Sequence, residues 1–238
     1  MSVTFETKVW ENDWKFVVNS MRLEQTIGRC HYDFSDRVLF INNVKDRAEV
    51  ERAADRLICS GILTRHVYVA DYADMALGAL GLSREQLGAG YYYSIAELVS
   101  IYLARTDYLL HFSSDTTVGP DVPRDWLRAG IKTLDDAPDV KVFNLTWNYR
   151  YDEASNESSA ANESCYLGYG FSDQMYLIRP KDFKQPVYGH YHPASRRYPR
   201  YGGDSFEKRV DSWMRQCQFL RATYRHGSYV HQNWPRTA

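Results

Sequence analysis

Cysteine is scarce in this sequence: Cys30, Cys59, Cys165 and Cys217 are the four present in 238 residues, far apart and without a C-x-x-C pair. That is too few to brace a chain of this length, so free and mostly buried thiols are expected rather than a disulfide framework. Long apolar runs are missing too. The longest, 38–41 and 67–70, fall far short of the ~20 residues that cross a bilayer, which argues against a transmembrane helix. Residues 1–15 mix Glu6, Lys8, Glu11 and Asp13 among the apolar ones, so they lack the unbroken apolar stretch of a signal peptide, and a cytoplasmic location is expected. Net charge is nearly absent as well: 29 basic against 30 acidic residues leave −1, so no whole-molecule field draws the chain to nucleic acid or to an anionic membrane.

What is present is a globular composition, 44% hydrophobic and 25% charged, enough to bury a sizeable core. A chain of this length is ordinary for one mixed α/β domain. Residues 1–120 alternate β-rich and helical stretches, with strands at 3–10, 37–44 and 66–70 and helices at 14–29 and 47–60. This is the βαβ rhythm of a parallel sheet. A further helix starts at Ser94, where Ser94 and Glu97 have capping-box spacing and Leu98, Ile101 and Tyr102 continue an apolar face. It feeds an apolar strand, 108–112, that stops abruptly at Ser113-Ser114-Asp115-Thr116-Thr117. Ligands of open parallel sheets sit at such carboxyl ends. A helix at 126–134 and a strand at 140–147 come next, then an acidic Ser/Asn/Ala-rich stretch, 151–164, that reads as a surface loop. A strand at 174–178, an irregular Tyr/Pro/His/Arg/Gly-rich segment at 187–203 and a long helix at 206–222 follow.

Several positions carry residue types suited to chemistry. Asp115 follows a buried strand and is flanked by hydroxyls, the setting in which a carboxylate bridges Mg2+ or Mn2+ to a diphosphate, although a turn-starting Asp has the same signature. Asp204-Ser-Phe-Glu207 offers two carboxylates at the start of the last helix; either one suits deprotonation of a hydroxyl, and the same spacing suits a helix cap. Thr7, Lys8 and Trp10 stand at the exit of the first strand, and Asp71 closes the strand at 66–70. Gly88-Ala-Gly90 leads to Tyr92 ahead of a helix, and Asp173 follows Gly168 and Gly170, where the backbone is free to approach a ligand. His190, His192, Arg196, Arg197 and Arg200 form a basic, aromatic-rich cluster suited to an anion or a sugar ring, or to a plain solvated loop. It lacks acidic or Cys partners at zinc-ligand spacing.

The order of these elements resembles the GT-A glycosyltransferases, the nucleotide-sugar-dependent superfamily, over most of the chain. Tyr108-Leu-Leu-His-Phe-Ser-Ser-Asp115 looks like the strand that carries the family's Asp-x-Asp motif, with Ser113 where the first Asp would be. Tyr201-Gly-Gly-Asp204-Ser-Phe-Glu207-Lys-Arg209 resembles the segment in which an acidic residue opens a helix and serves as general base in inverting members. Tyr224-Arg-His-Gly-Ser-Tyr-Val-His231 resembles the strand ending in a His that contacts metal or diphosphate. The resemblance implies a single-domain α/β, GT-A-like (Rossmann-like) fold, a mixed, mostly parallel central sheet flanked by helices. It further implies a nucleotide-sugar-binding half at 1–120 and an acceptor-binding half at 121–238.

By the same resemblance the activity is transfer of a sugar from a UDP-, GDP- or dTDP-linked donor to a glycan or other hydroxyl acceptor, as in polysaccharide biosynthesis. Mn2+ or Mg2+ would sit on Asp115 and His231, Asp204 or Glu207 would act as base, and Thr7, Lys8, Trp10, Asp71, Tyr92, Ser113 and Asp173 would line the substrates. Ser113 in place of the motif's first Asp leaves metal dependence open. It also motivates the alternative of a non-catalytic or degenerate carbohydrate- or nucleotide-binding protein. A nucleic-acid module built on the Arg/Tyr-rich stretch at 188–201 is disfavoured by the near-neutral charge.

Overall fold

The computed structural model describes residues 1–199 and 202–232, so Arg200 and Tyr201 of the stretches above lie outside the described residues. Its strands are β1 (Val3–Val9), β2 (Asp36–Ile41), β3 (Arg65–Tyr68), β4 (Tyr108–Phe112), β5 (Thr116–Val118), β6 (Val140–Trp147), β7 (Ser158–Ala161), β8 (Cys165–Gly168), β9 (Met175–Ile178) and β10 (Leu220–His231). The helices are α1 (Trp14–Val18), α2 (Arg22–Arg29), α3 (Arg47–Cys59), α4 (Ala73–Ala79), α5 (Arg84–Leu87), α6 (Ile95–Leu103), α7 (Trp126–Asp136), α8 (Tyr151–Asn156), α9 (Pro180–Phe183) and α10 (Phe206–Gln216). One sheet runs β3-β2-β1-β4-β9-β6-β10-β8-β7, with β5 paired to β10. Strands β1 to β4, β6, β7 and β10 point one way and β5, β8 and β9 the other, so the sheet is mixed and mostly parallel, as expected.

The period-2 alternation of β1 divides the protein into two layers. Val3, Phe5 and Val9 enter a core with Val50, Ala53, Trp126 and Ile131, which belong to α3 and α7. The other face packs Leu98 and Ile101 of α6 against Phe206, Val210 and Met214 of α10. Each such side chain, fully buried, contributes roughly 1.5–3 kcal/mol. Glu6 and Lys8 face this second layer with Thr4, which pairs with Thr106, and the partners of the two charged groups define much of the site.

Four expectations from the sequence need correction. The helix expected at 14–29 is two helices, because Ser20 turns its hydroxyl onto the Phe16 carbonyl and accepts from the Arg22 N–H (3.3 Å), which restarts the chain at Arg22. The Ser94 capping box does not form. Ser94 Oγ instead donates to Gly90 O and accepts from the Phe206 N–H, both at 2.7 Å, and Glu97 is drawn to Lys8. Residues 151–164 are not a plain loop: α8 and the edge hairpin β7–β8 occupy them, closed by the Asn162 side chain accepting from the Ser164 and Cys165 N–H groups. Finally, the last helix stops at Gln216, since Gln218 adopts φ 59° and the Phe219 N–H returns to Met214 O; residues 220–222 begin β10.

Candidate functional site

The carboxyl end of β4 meets the far end of β10 because β5, three residues on from β4, pairs antiparallel with β10 in the register His231 to Thr116. Asp115 thereby reaches a residue 116 positions away: its Oδ2 lies 2.9 Å from His231 Nε2. Ser113 Oγ donates to the other carboxylate oxygen at 2.7 Å. Burial alone would raise the Asp115 pKa, but the hydrogen bonds from His231 and Ser113 outweigh it and hold the carboxyl below its ordinary range. The same hydrogen bond with Asp115 raises the imidazole of His231. Gln174 Nε2 stands 3.3 Å from His231 Nδ1, while Gln174 Oε1 accepts from Tyr229 at 3.1 Å, so the ring is held from both sides.

A second carboxylate adjoins this pair. Asp13 accepts from the Trp10 N–H (2.7 Å) and from Ser114 Oγ (2.6 Å). Burial, reinforced by the charge of Asp115, pushes it up to about 6 against those hydrogen bonds. Arg22 donates to Gln232 at 2.9 Å and lies close enough to feel the charge of Asp115.

On the other face of the sheet polar side chains of β1 and β4 form a second group. Glu6 accepts from Ser100 (3.1 Å) and lies 2.7 Å from His111 Nδ1, and His111 stacks on Tyr176 at 4.6 Å. Lys8 pairs with buried Glu97 and stands 4.0 Å from Asp173. Burial works against the Lys8 ammonium, but Glu97 and Asp173 more than compensate and its pKa is raised. Glu207, in the first turn of α10, is pushed well above the usual carboxylate range, first by burial and then by Asp173, against the Asp173 N–H directed at it and the charge of Arg197.

The expected residues therefore separate into groups. Asp115, Ser113 and His231 come together, and Lys8, Asp173 and Glu207 form an adjoining acid-rich cluster. Trp10 and Tyr92 are exposed at the same sheet edge, with Asn42, just past β2, donating to Tyr92 O at 3.2 Å. Asp71 follows β3, but its carboxylate is taken bidentately by Arg47 at 2.8 and 3.1 Å. Thr7 must be corrected: it points to the opposite face from Lys8, is 3% exposed, and meets only a recess of about 10 Å³ that it shares with Arg22 and Ser114. Asp204 must be corrected as a base. It lies on the surface, paired with Lys208, while Ser205 makes the helix cap that the spacing suggested for Asp204. A cleft of about 560 Å³ lies away from Asp115, and Asp204 lines it together with Gly88, Ala89, Arg196, Tyr198 and Lys208.

Sequence reasoning passed over Asp13, Arg22, Glu97, His111, Gln174, Tyr229 and Arg221. The one local signal was Glu6 and Lys8 at i and i+2 in an apolar strand, which puts two charges on one buried face. Among the described residues no group of three or more His, Cys, Asp and Glu converges as a cation site, so Asp115 and His231 are a two-donor set. One oxygen and one imidazole nitrogen suit Mn2+ better than Mg2+, provided that a diphosphate and water complete the sphere.

No family model and no curated protein matches the chain. Solved structures do. Glucosyl-3-phosphoglycerate synthase from Mycobacterium tuberculosis, in complex with Mn2+, uridine diphosphate and glucosyl-3-phosphoglycerate, superposes with TM-score 0.51 at 12% identity, over 98% of this chain and 73% of that one. Its complex with Mg2+ and uridine diphosphate gives TM-score 0.52 at 13% identity, over 98% and 72%. A mycobacterial protein gives 0.53 at 13% identity, over 98% and 68%. The chain thus shares the fold of these structures over nearly its whole length.

Proposed function

We propose that this chain is a nucleotide-sugar glycosyltransferase, transferring a sugar from a nucleoside-diphosphate donor to a hydroxyl acceptor. The observation that carries this reading is the Asp115–His231 pair at the carboxyl end of β4, assembled from residues 116 positions apart where parallel sheets bind ligands. Neighbours crystallised with uridine diphosphate and Mn2+ or Mg2+ support a nucleoside diphosphate and a divalent cation as the ligands. Asp115 Oδ2 and His231 Nε2 would hold the cation, which when bound would neutralise charge developing on the departing diphosphate. Trp10, Asn42 and Tyr92 line the edge of 1–120 assigned to the nucleoside.

The protein's own groups do the rest. Lys8, fixed between Glu97 and Asp173, places a permanent cation and Asp173 beside the sugar-binding space. Glu207 is the base we assign for the acceptor hydroxyl, which makes the reaction inverting. Its raised pKa makes it a stronger proton acceptor in the fraction that is ionised. Residues 121–238 supply it and are assigned to the acceptor. The two-donor set and Ser113 favour one competing reading, a binding protein without turnover.

A thermal-shift screen against UDP-, GDP- and dTDP-sugars with and without Mn2+ tests both, since a ligand at a hundredfold its Kd stabilises the fold by about 2.7 kcal/mol. A nucleotide sugar that stabilises the protein only with Mn2+, an effect abolished in Asp115→Ala, is the expected result, and release of nucleoside diphosphate separates enzyme from binder. Metal-dependent stabilisation unchanged in Asp115→Ala removes that residue from the mechanism.

A further inference from the structure

Arg197, at the end of the short turn Pro193–Arg197, and Arg221, near the start of β10, converge over Gly170. The approach requires glycine. A Cβ at 170 would lie 2.6 Å from Arg197 Nη2 and 2.9 Å from Arg221 Nη1, and its φ of +125° is one that side-chain-bearing residues rarely adopt. The two guanidinium groups are thinly compensated. Arg221 has a side chain only 6% exposed, reaches Glu157 through Nη2 at 3.2 Å, and its buried Nε has no hydrogen-bond partner among the described residues. Arg197 donates through Nη2 to the Tyr198 hydroxyl at 3.3 Å and lies 3.7 Å from Asp211, a carboxylate already engaged by Arg215 Nε at 2.9 and 3.1 Å and by Ser195 Oγ at 2.5 Å.

Three guanidinium groups thus share Asp211 and Glu157, and a buried donor left unpaired costs more than its hydrogen bond returns elsewhere. Planar forked donors fit a carboxylate or a phosphate in preference to any neutral group. The position is equally specific: Arg197 acts electrostatically on Glu207, and Arg221, Asp173 and Glu207 all act on the hydroxyl of Tyr229. We propose that Arg197 and Arg221 bind a carboxylate or phosphate group carried by the acceptor, so that the acceptor is an acidic sugar and not a neutral one. This rests on the transferase reading, because nearness to Glu207 is what makes an anion site an acceptor site.

Calorimetric titration of the whole protein with glucose, glucuronate and glucose 6-phosphate, at constant ionic strength and with saturating Mn2+ and uridine diphosphate, tests it. Occupying the donor position keeps the added phosphate from binding there. At least one acid binds about tenfold or more tightly than glucose, as charge-assisted hydrogen bonds predict. Glucuronate favoured alone identifies a carboxylate, glucose 6-phosphate alone a phosphate. In Arg221→Gln the acid-to-neutral ratio collapses toward one. Arg197→Gln does the same and, with a side chain 39% exposed, is the variant to rely on if Arg221→Gln fails to fold. No acid preferred over glucose, or a preference that survives in folded Arg197→Gln, overturns the proposal. A prior titration of nucleoside diphosphates keeps the two questions apart: a nucleotide that binds without acid preference sinks only the acidic acceptor, and failure of uridine, guanosine and thymidine diphosphates alike to bind sinks the transferase reading.

Discussion

Asp13→Asn is the substitution whose effect can be worked out most fully. The carboxylate of Asp13 is 5% exposed as a residue and is raised from 3.8 to about 6, chiefly by burial, with the charge of Asp115 adding to it. At about 1.36 kcal/mol for each tenfold change in acidity, the rise from 3.8 to about 6 puts the cost of ionising Asp13 in the folded protein at up to about 3 kcal/mol. The sign follows from proton counting. Between about pH 4 and 6 the unfolded chain has lost the Asp13 proton and the folded chain has kept it, so stability falls as pH rises through this window and the penalty is complete above about pH 6. Asparagine keeps both hydrogen bonds, since its carbonyl can accept from the Trp10 N–H and its amide can donate to Ser114 Oγ, and it removes the charge.

Urea unfolding of wild type and Asp13→Asn from about pH 4 to 8 therefore gives free energies that coincide at the acid end and diverge by up to about 3 kcal/mol in favour of the variant above pH 6. Mn2+ bound beside Asp115 would lower the pKa of Asp13 and shrink that gap. A gap independent of pH would refute the argument, because it would mean that packing and not ionisation separates the two proteins.

The remaining predictions concern the neighbouring groups. Glu207→Gln lowers the transfer rate by about 10²- to 10⁴-fold with donor binding retained, whereas Asp204→Asn, on the surface and paired with Lys208, stays within a few-fold; steady-state kinetics decide, and equal losses would remove Glu207 from its role. Mn2+ affinity weakens as pH falls through the raised pKa of His231, approaching tenfold per pH unit below it, because the proton competes for the nitrogen that would bind metal; a calorimetric Kd flat from pH 6 to 8 would contradict this. Gly90→Ala places a Cβ 2.6 Å from Gly202 O and 2.9 Å from Ser205 N, both backbone atoms, and should cost about 1–3 kcal/mol, seen as a fall in Tm.

What could be read from the sequence and what could not follow from how each feature is encoded. Buried strands such as β4, apolar but for His111, end at a polar turn, so the βαβ half and Asp115 were visible locally. The hairpin β7–β8 was not, because β7 is an exposed edge of Ser and Ala without the buried stripe by which strands are recognised. Ser94 and Glu97 have a cap's spacing, yet the Phe206 N–H and the Lys8 ammonium, both distant in sequence, compete for them and win. Arg221 was hidden inside a stretch with helical periodicity, where only the turn at Gln218 reveals that a strand has begun.

The residues that sequence reasoning missed are mostly those that stability alone would disfavour. Glu97, His111 and Arg221 among them, with Glu6 and the expected Lys8 beside them, are charged or titratable groups held in or against two hydrophobic layers, and packed apolar side chains in their place would often make as stable a protein or a more stable one. Nor are they scattered. Lys8, Glu97 and Arg221 all converge toward Asp173 and Glu207 at one edge of the sheet, and Glu6 and His111 back them from within. Folding gives no reason for so many partly compensated charges to share one place. Binding of a charged substrate does, because an ionic ligand supplies the missing partners only when it arrives, and charges fixed in advance need no reorganisation to meet it.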